Sequence, residues 1–268
     1  MIEPLTVWLK YCRTAFRCQL EYRAAFIMQV AGRLVMHCLE VIVIAALFDR
    51  FGSIRGWRIP EVLIFYGIVN IAFAVAEGIA RGFDIFDQLV KSGDFDILLL
   101  RPRNTAFQVA VREFQLLRIG RLLQGLAVLI WGMANASVSW RWWDGGMILW
   151  ATTGAACMFY GLFVFQATMS FWTTESLEVM NMFTYGGVQT AQYPLEIYQR
   201  WLQRFFIFIV PLGCVTYLPM VALLGREDEI FHSPLWVQCA APLMGVLFLV
   251  AALRVWEFGV RHYRSTGS

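Results

Sequence analysis

Arg33, His37 and Glu40 stand four and three residues apart within a long apolar run, and Glu77 sits near the end of a second one. The spacing i, i+4, i+7 puts the first three on one helical face, where a guanidinium, an imidazole and a carboxylate can share hydrogen bonds and charge. An isolated charge in the middle of a bilayer costs about 2.5–3.5 kcal/mol on insertion scales, so such residues face protein or water and often mark a pathway. Two readings follow: a polar lining that meets a substrate, or an Arg33–Glu40 pair that fixes one helix against another. The sequence holds no GxxxxGK[ST] phosphate loop, no HExxH and no GxSxG, and its three histidines (His37, His232, His262) are far apart. Energy for any directed work must then come from another chain. The six cysteines are scattered with no CxxC pair, which argues against a disulfide framework or a zinc site.

What must position these groups is a membrane bundle. Of 268 residues 59% are hydrophobic and only 15% charged, with a mean hydropathy of +0.59, whereas about a quarter of an ordinary soluble domain is charged. A crossing helix needs about 20 mostly apolar residues. Runs that qualify cover 24–48, 60–80, 117–139, 147–172 and 236–260. A sixth element lies in the harder region 175–224. There, 205–224 is the most apolar choice but is interrupted by Pro211 and Pro219, which break helical hydrogen bonds. The competing span is 176–194, in which case 195–224 becomes a re-entrant hairpin on the outer side, tolerable where protein buries it. Ahead of the first run, 4–23 has the pattern of an amphipathic helix in the membrane interface: Leu5, Trp8, Leu9, Cys12, Phe16 and Leu20 on one face, with Lys10, Arg13, Arg17 and Glu21 on the opposite flank.

The predicted architecture is thus an all-α integral membrane chain, 1–268, forming one transmembrane domain with six spans. The first residues show no compact basic-then-apolar leader, so the N-terminus is expected to stay where it was made. With that end inside, fourteen Lys and Arg fall on the inner side and seven on the outer, which predicts both termini inside. Trp140, Trp142, Trp143 and Trp150 crowd the turn between spans three and four, as at a membrane interface. The net charge of +3 is mild and does not point to nucleic acid. Ala151 with Ala155, and Ala241 with Gly245, are four apart and favour close helix approach.

The inner loop, 81–115, is the most informative stretch. In "RGFDIFDQLVKSGDFD", Phe83, Phe86 and Val90 fall on one helical face, Asp84 and Asp87 come early where a helix N-terminus favours negative charge, and Gly93 follows Lys91 as a stop. This predicts a short amphipathic helix exposed on the inner face, whose apolar stripe either docks into a groove of a soluble partner or rests on lipid headgroups. In the continuation "GDFDILLLRPRN", Gly93, Asp94, Asp96, Leu98, Leu99, Arg101 and Pro102 resemble the glycine, acidic, leucine-rich and proline pattern that follows span two in permeases of the ABC-2 exporter superfamily. The likeness extends along the whole chain. It includes the interfacial first helix, the six spans and the segment "QYPLEIYQRWLQRFFIFIVPLGCVTYLPMVALLG", which looks like the proline-marked outer hairpin before the last span. The chain is similar in particular to the subgroup of short ABC-2 family or viologen-exporter-type permeases. It departs at Arg103, where many relatives carry an apolar residue.

The resemblance implies a permease subunit of an ATP-driven exporter in a bacterial inner membrane, with no catalytic residues and no cofactor of its own. ATP and Mg would belong to a separate ATP-binding subunit dimer, and a second permease would complete a heterodimer or homodimer. It makes Phe83–Val90 the coupling helix, with Asp84 and Asp87 on it, and Gly93–Pro102 the hinge to span three. Substrates would be amphiphilic compounds, drugs, lipids or glycans moved outward. Two other classes remain: a membrane-embedded enzyme acting on lipids, which needs a reactive cluster near one face, and a non-transporting scaffold that binds partners through 81–112.

Overall fold

The computed structural model describes residues 23–113, 118–173 and 177–263, together with Thr14 and Glu21. The interfacial helix expected over 4–23 lies almost wholly outside the described residues. Helices come in the order α1 (Arg23–Phe51), α2 (Ile59–Asp84), α3 (Phe86–Lys91), α4 (Asp94–Leu99), α5 (Thr105–Arg112), α6 (Ile119–Asn135), α7 (Asp144–Met169) and α8 (Leu177–Ala191). A 3-10 turn, Leu195–Ile197, leads into α9 (Arg200–Arg204), a π-helical turn (Phe205–Ile209), α10 (Leu212–Val215), α11 (Tyr217–Leu224), α12 (Leu235–Ala240) and α13 (Leu243–His262). No strand occurs among the described residues, only a bridge between Ile54 and Trp57.

Among the described residues four helices are long and apolar enough to cross a membrane: α1, α2 with α3, α7 and α13. A fifth candidate is the pair Arg200–Ile209 and Leu212–Leu224, bent by 79°. The bend falls beside Pro211, whose ring and missing N–H stop the helix there. α6 and α8 are shorter, with 17 and 15 residues, so six crossings are not fixed by helix length alone. The protein is a multi-pass membrane chain. Trp142, 89% exposed, and Trp143 sit at the turn before α7, where amphipathic rings suit an interface.

α2 is the central mast. Of its most apolar stretch 83% is buried inside the protein, against 6% for α1, which leaves Ile27, Met28, Val35 and Met36 exposed. α6 and α7 flank α2, α13 packs on α7, and α1 rests on α6. In lipid the apolar surface of a helix gains little by touching another, so close van der Waals approach carries the packing and small residues make it possible. A Cβ on Gly67 or Gly125 would run into the α2–α6 seam at Leu129 and Ile71, and one on Gly245 would stand 1.9 Å from the carbonyl oxygen of Gly154. The close approach on α13 therefore works through Gly245 and Gly154, with Ala151 and Ala155 fully buried on the same helix as Gly154.

At the Ile59 end of the mast a polar clasp fixes the bent pair. Glu196 accepts a 2.6 Å hydrogen bond from Trp57 Nε1 and another from the Tyr217 hydroxyl. Arg226 donates to both oxygens of Glu61 at 3.0 and 2.8 Å and to the Gly56 carbonyl at 2.7 Å, with its guanidinium 4.2 Å from the Trp57 ring centroid. Asp228 caps the following turn. Burial alone would raise its carboxyl pKa, but hydrogen bonds from the Ser233 hydroxyl and the backbone N–H groups of Ser233, Phe231 and Ile230 outweigh that and hold it below the ordinary carboxylate value.

Gly245→Ala is expected to destabilise the detergent-solubilised chain by about 1–3 kcal/mol by overpacking. Gly186→Ala, which meets nothing within 4 Å, should be neutral or slightly stabilising; thermal unfolding compares the two. Because the folded pKa of Asp228 is depressed, its contribution is present above the unfolded value of about 3.9 and lost as pH falls through the folded one. The deficit of Asp228→Asn against wild type should therefore be largest near neutrality and shrink between about pH 5 and pH 3, read as unfolding midpoints across that range.

Candidate functional site

A polar seam runs through the middle of the bundle between α1, α2, α6 and α8. On α2, Tyr66, Asn70 and Glu77 recur at spacings of four and seven and so share a face. On α6 and the turn before it, Arg118, Arg121 and Gln124 do the same at spacings of three. The Tyr66 hydroxyl donates to Glu40 Oε2 at 2.9 Å, and Gln124 Nε2 donates to that hydroxyl at 3.0 Å and to the His37 carbonyl at 3.2 Å. Arg121 Nε donates to Asn70 Oδ1 at 2.7 Å while its guanidinium lies 4.5 Å from the Phe73 ring centroid. Glu77 is fully buried; its Oε1 pairs with Arg118 and accepts from the Tyr185 hydroxyl at 3.0 Å, and its Oε2 has no hydrogen-bond partner among the described residues.

Of the residues singled out by sequence, Glu40 and Glu77 enter this seam directly. His37 joins through its carbonyl and a 3.4 Å contact from Nδ1 to Glu40 Oε2. The expected Arg33–Glu40 pair is not made: Glu40 turns to Tyr66 and His37, and Arg33 forms no ion pair among the described residues. Tyr66, Asn70, Arg118, Arg121, Gln124 and Tyr185 were not foreseen. The two arginines lie at the inner end of the run 117–139, where they serve only in the charge count, and their spacing with Gln124 marks one face of span three. Gln166 lies at the edge of the seam, 3.4 Å from Asn181; Glu175 and the side chain of Glu178 lie outside what is described.

At the opposite end from the clasp, the tract after α2 differs from expectation. Phe83, Phe86 and Val90 do not form an exposed stripe; all three are buried, Phe86 completely. The helix is interrupted for one residue at Ile85, and α3, which continues α2 in one 33-residue span candidate, turns its apolar face to the chain's own aromatic residues. Phe86 lies 4.8 Å from Trp256, 4.9 Å from Phe95 and 5.2 Å from Phe171, and Phe83 lies 5.2 Å from Trp256, nearly all in edge-to-face geometry. Gly82 lets the Val109 carbonyl come so close that a Cβ there would be 1.9 Å from its oxygen.

The acidic residues of the tract are tied locally. Asp84 ends α2 and pairs with Arg81; Asp87, in the first turn of α3, pairs with Lys91 at 3.2 Å. Gly93 takes φ 73°, a left-handed position that suits glycine, and starts α4. Asp94 pairs with Arg112 at 3.0 Å, bridging α4 to α5. Asp96 is on α4, and Arg101, Pro102 and Arg103 form an exposed turn. Gln108 Nε2 holds that turn by donating to the carbonyls of Leu98 and Arg103 at 3.2 and 3.0 Å. Between α4 and α5 lies a groove of about 600 Å³ lined by Asp94, Ile97, Arg101, Phe107 and Arg112. The tract's outward residues therefore include Gln88, Lys91, Ile97, Leu100 and Arg101, with Leu100 85% exposed.

The model of the family described as ABC-2 family transporter protein matches residues 34–267, which takes in the seam, the tract and the clasp together. The chain belongs to the ABC-2 transporter family. No curated protein and no solved structure matches it. As an ABC-2 family member the chain is a transport subunit, and the arrangement suits one: a membrane bundle with a buried polar seam and a tract cemented beneath it.

Breaking the Glu77–Arg118 pair of this ABC-2 chain from one side is expected to be worse than removing it whole. Glu77→Leu leaves buried guanidinium groups uncompensated and should cost about 3–5 kcal/mol. The Glu77→Leu/Arg118→Leu double variant should recover part of that loss, a coupling read from a double-mutant cycle of unfolding midpoints in detergent.

Proposed function

We propose that this chain is the membrane-spanning permease subunit of an ATP-driven exporter, forming the translocation path with a second permease. The observation that carries the reading is the polar seam of Glu40, Tyr66, Asn70, Glu77, Arg118 and Arg121 inside an otherwise apolar bundle. Charges at that depth persist where they face protein or a polar passenger. In this reading α1, α2, α6, α7, α8 and α13 are six spans, with α6 and α8 extended by neighbouring residues, and 195–224 is a re-entrant hairpin on the outer side. Both termini are cytoplasmic, in a bacterial inner membrane.

The energy comes from a separate ATP-binding subunit dimer, which holds ATP and Mg. Residues 83–102 are the coupling segment, with a division of labour. Phe83, Phe86, Val90 and Phe95 bind the segment to spans two, four and six, so it moves with them as a solid lever. Its outward residues, Lys91, Ile97, Leu100 and Arg101, meet the ATP-binding subunit, and Gly93 to Pro102 turn the chain toward span three. Closure of the nucleotide-bound subunits then tilts the bundle and exposes the seam alternately to either side. The second permease is either a related chain or another copy.

The test is co-purification in detergent with the ATP-binding subunit. Ile97→Asp/Leu100→Asp should lose the partner while keeping a wild-type unfolding midpoint, because both side chains are exposed, 55% and 85%. Phe86→Asp should instead lose the fold. Retention of the partner by the surface variant, or turnover of a substrate by the isolated chain, overturns the assignment.

A further inference from the structure

The clasp end carries a second site that the seam does not use. Beside the bent pair lies a cavity of about 710 Å³ whose lining includes Arg55, Tyr198, Arg200, Arg204, Phe208 and Glu229. Arg200 and Arg204 are four apart and share one face of α9. Arg55 lines the cavity from another element, the turn closed by paired backbone hydrogen bonds between Ile54 and Trp57 at 3.1 and 3.0 Å. It is held there at φ 49°, a left-handed conformation that a residue with a side chain adopts only when its surroundings impose it.

None of the three arginines takes part in an ion pair among the described residues. Two carboxylates line the cavity, but they are not equivalent. Glu196 is buried with both oxygens held, by Trp57 and Tyr217. Glu229 is exposed, and the cavity sets two carboxylates against three guanidinium groups, which leaves positive charge in excess. Guanidinium groups without partners, gathered from two elements, make a fork suited to an oxyanion. The rim of the same cavity is apolar: Phe208 is 72% exposed and meets Phe231 edge-to-face at 5.9 Å, and the neighbouring Ile209 is 66% exposed. A hydrophilic anion would have no use for that ledge.

We infer that this cavity binds the anionic headgroup, a phosphate or carboxylate, of an amphiphile whose apolar tail lies along Phe208, Ile209 and Phe231. Assigning the amphiphile as cargo on the outward path rests on the exporter reading above; the binding chemistry does not. The same headgroup chemistry belongs to bilayer lipids and to soluble amphiphiles, and the experiment separates them.

The chain purified in a neutral maltoside is titrated with dodecyl phosphate while its unfolding midpoint is followed. The expected result is a saturable rise in midpoint. Arg200→Ala/Arg204→Ala and Arg55→Ala should each weaken the apparent affinity by about tenfold or more, with midpoints unchanged in the absence of dodecyl phosphate. Glu229→Gln should tighten it. If nanodiscs of phosphatidylglycerol suppress dodecyl phosphate binding relative to nanodiscs of phosphatidylcholine, the natural headgroup is a lipid's; undiminished binding assigns a soluble amphiphile. Equal affinity for dodecyltrimethylammonium, equal affinity for inorganic phosphate, or undiminished binding by the arginine variants overturns the inference. No ATP-binding subunit is needed, so failure here leaves the exporter reading standing, and loss of that reading would leave an anion site without its role as a cargo site.

Discussion

The bundle depends on how closely backbones approach the central helix α2. A helix that is buried on nearly all sides in a lipid-dissolved protein gains little from hydrophobic transfer, since lipid is as apolar as its neighbours. Its hold on α6 and α7 therefore rests on contact at atomic distance and on polar groups that find partners across the gap. The glycines at 67, 125 and 132 supply the first, and the Asn70–Arg121 and Glu77–Arg118 contacts supply the second. The two needs reinforce each other. Arginines on α6 reach carboxamide and carboxylate groups on α2 only because glycine lets the helices close up, and the charges make any slippage of that register costly.

The two ends of this mast are finished differently. Past Asp84 the finishing is aromatic: rings of Phe83, Phe86, Phe95 and Phe171 gather around Trp256. At Ile59 the finishing is polar, with Trp57, Glu196, Tyr217, Arg226 and Asp228 fastening the bent pair to the first connection. Aromatic interlocking tolerates small rotations without leaving a polar group unpaired, whereas a buried carboxylate network has one good arrangement. The clasp end is thus the stiffer reference, and the tract end is better able to move.

Much of this was legible in the sequence, and the failures have physical causes. Apolar runs located the long helices because span length is dictated by bilayer thickness, and Pro211 marked the bend because proline cannot continue a helix. The stripe of Phe83, Phe86 and Val90 had the right period, but periodicity reports only that a face is apolar. What covers it, Phe171 and Trp256 from 75 or more positions further along, is tertiary information. Arg118 and Arg121 fall within the run 117–139 and enter the sequence reading only as inner-side charges; the spacing 118, 121, 124 is the signal that puts them on one helix face. The Arg33–Glu40 pair failed because Tyr66 and His37 reach the carboxylate instead.

The nearly bare surface of α1 bears on how the chain is made. Among the described residues this long apolar helix buries only Ile44 and Phe48, so most of its surface suits lipid at once, while Glu40 on its polar face waits for Tyr66 of α2. α6 depends on α2 more heavily, since Arg121 and Gln124 are tolerable only once Asn70 and Tyr66 stand beside them. Synthesis order matches this need: the helix carrying the acceptors is inserted before the helix carrying the donors.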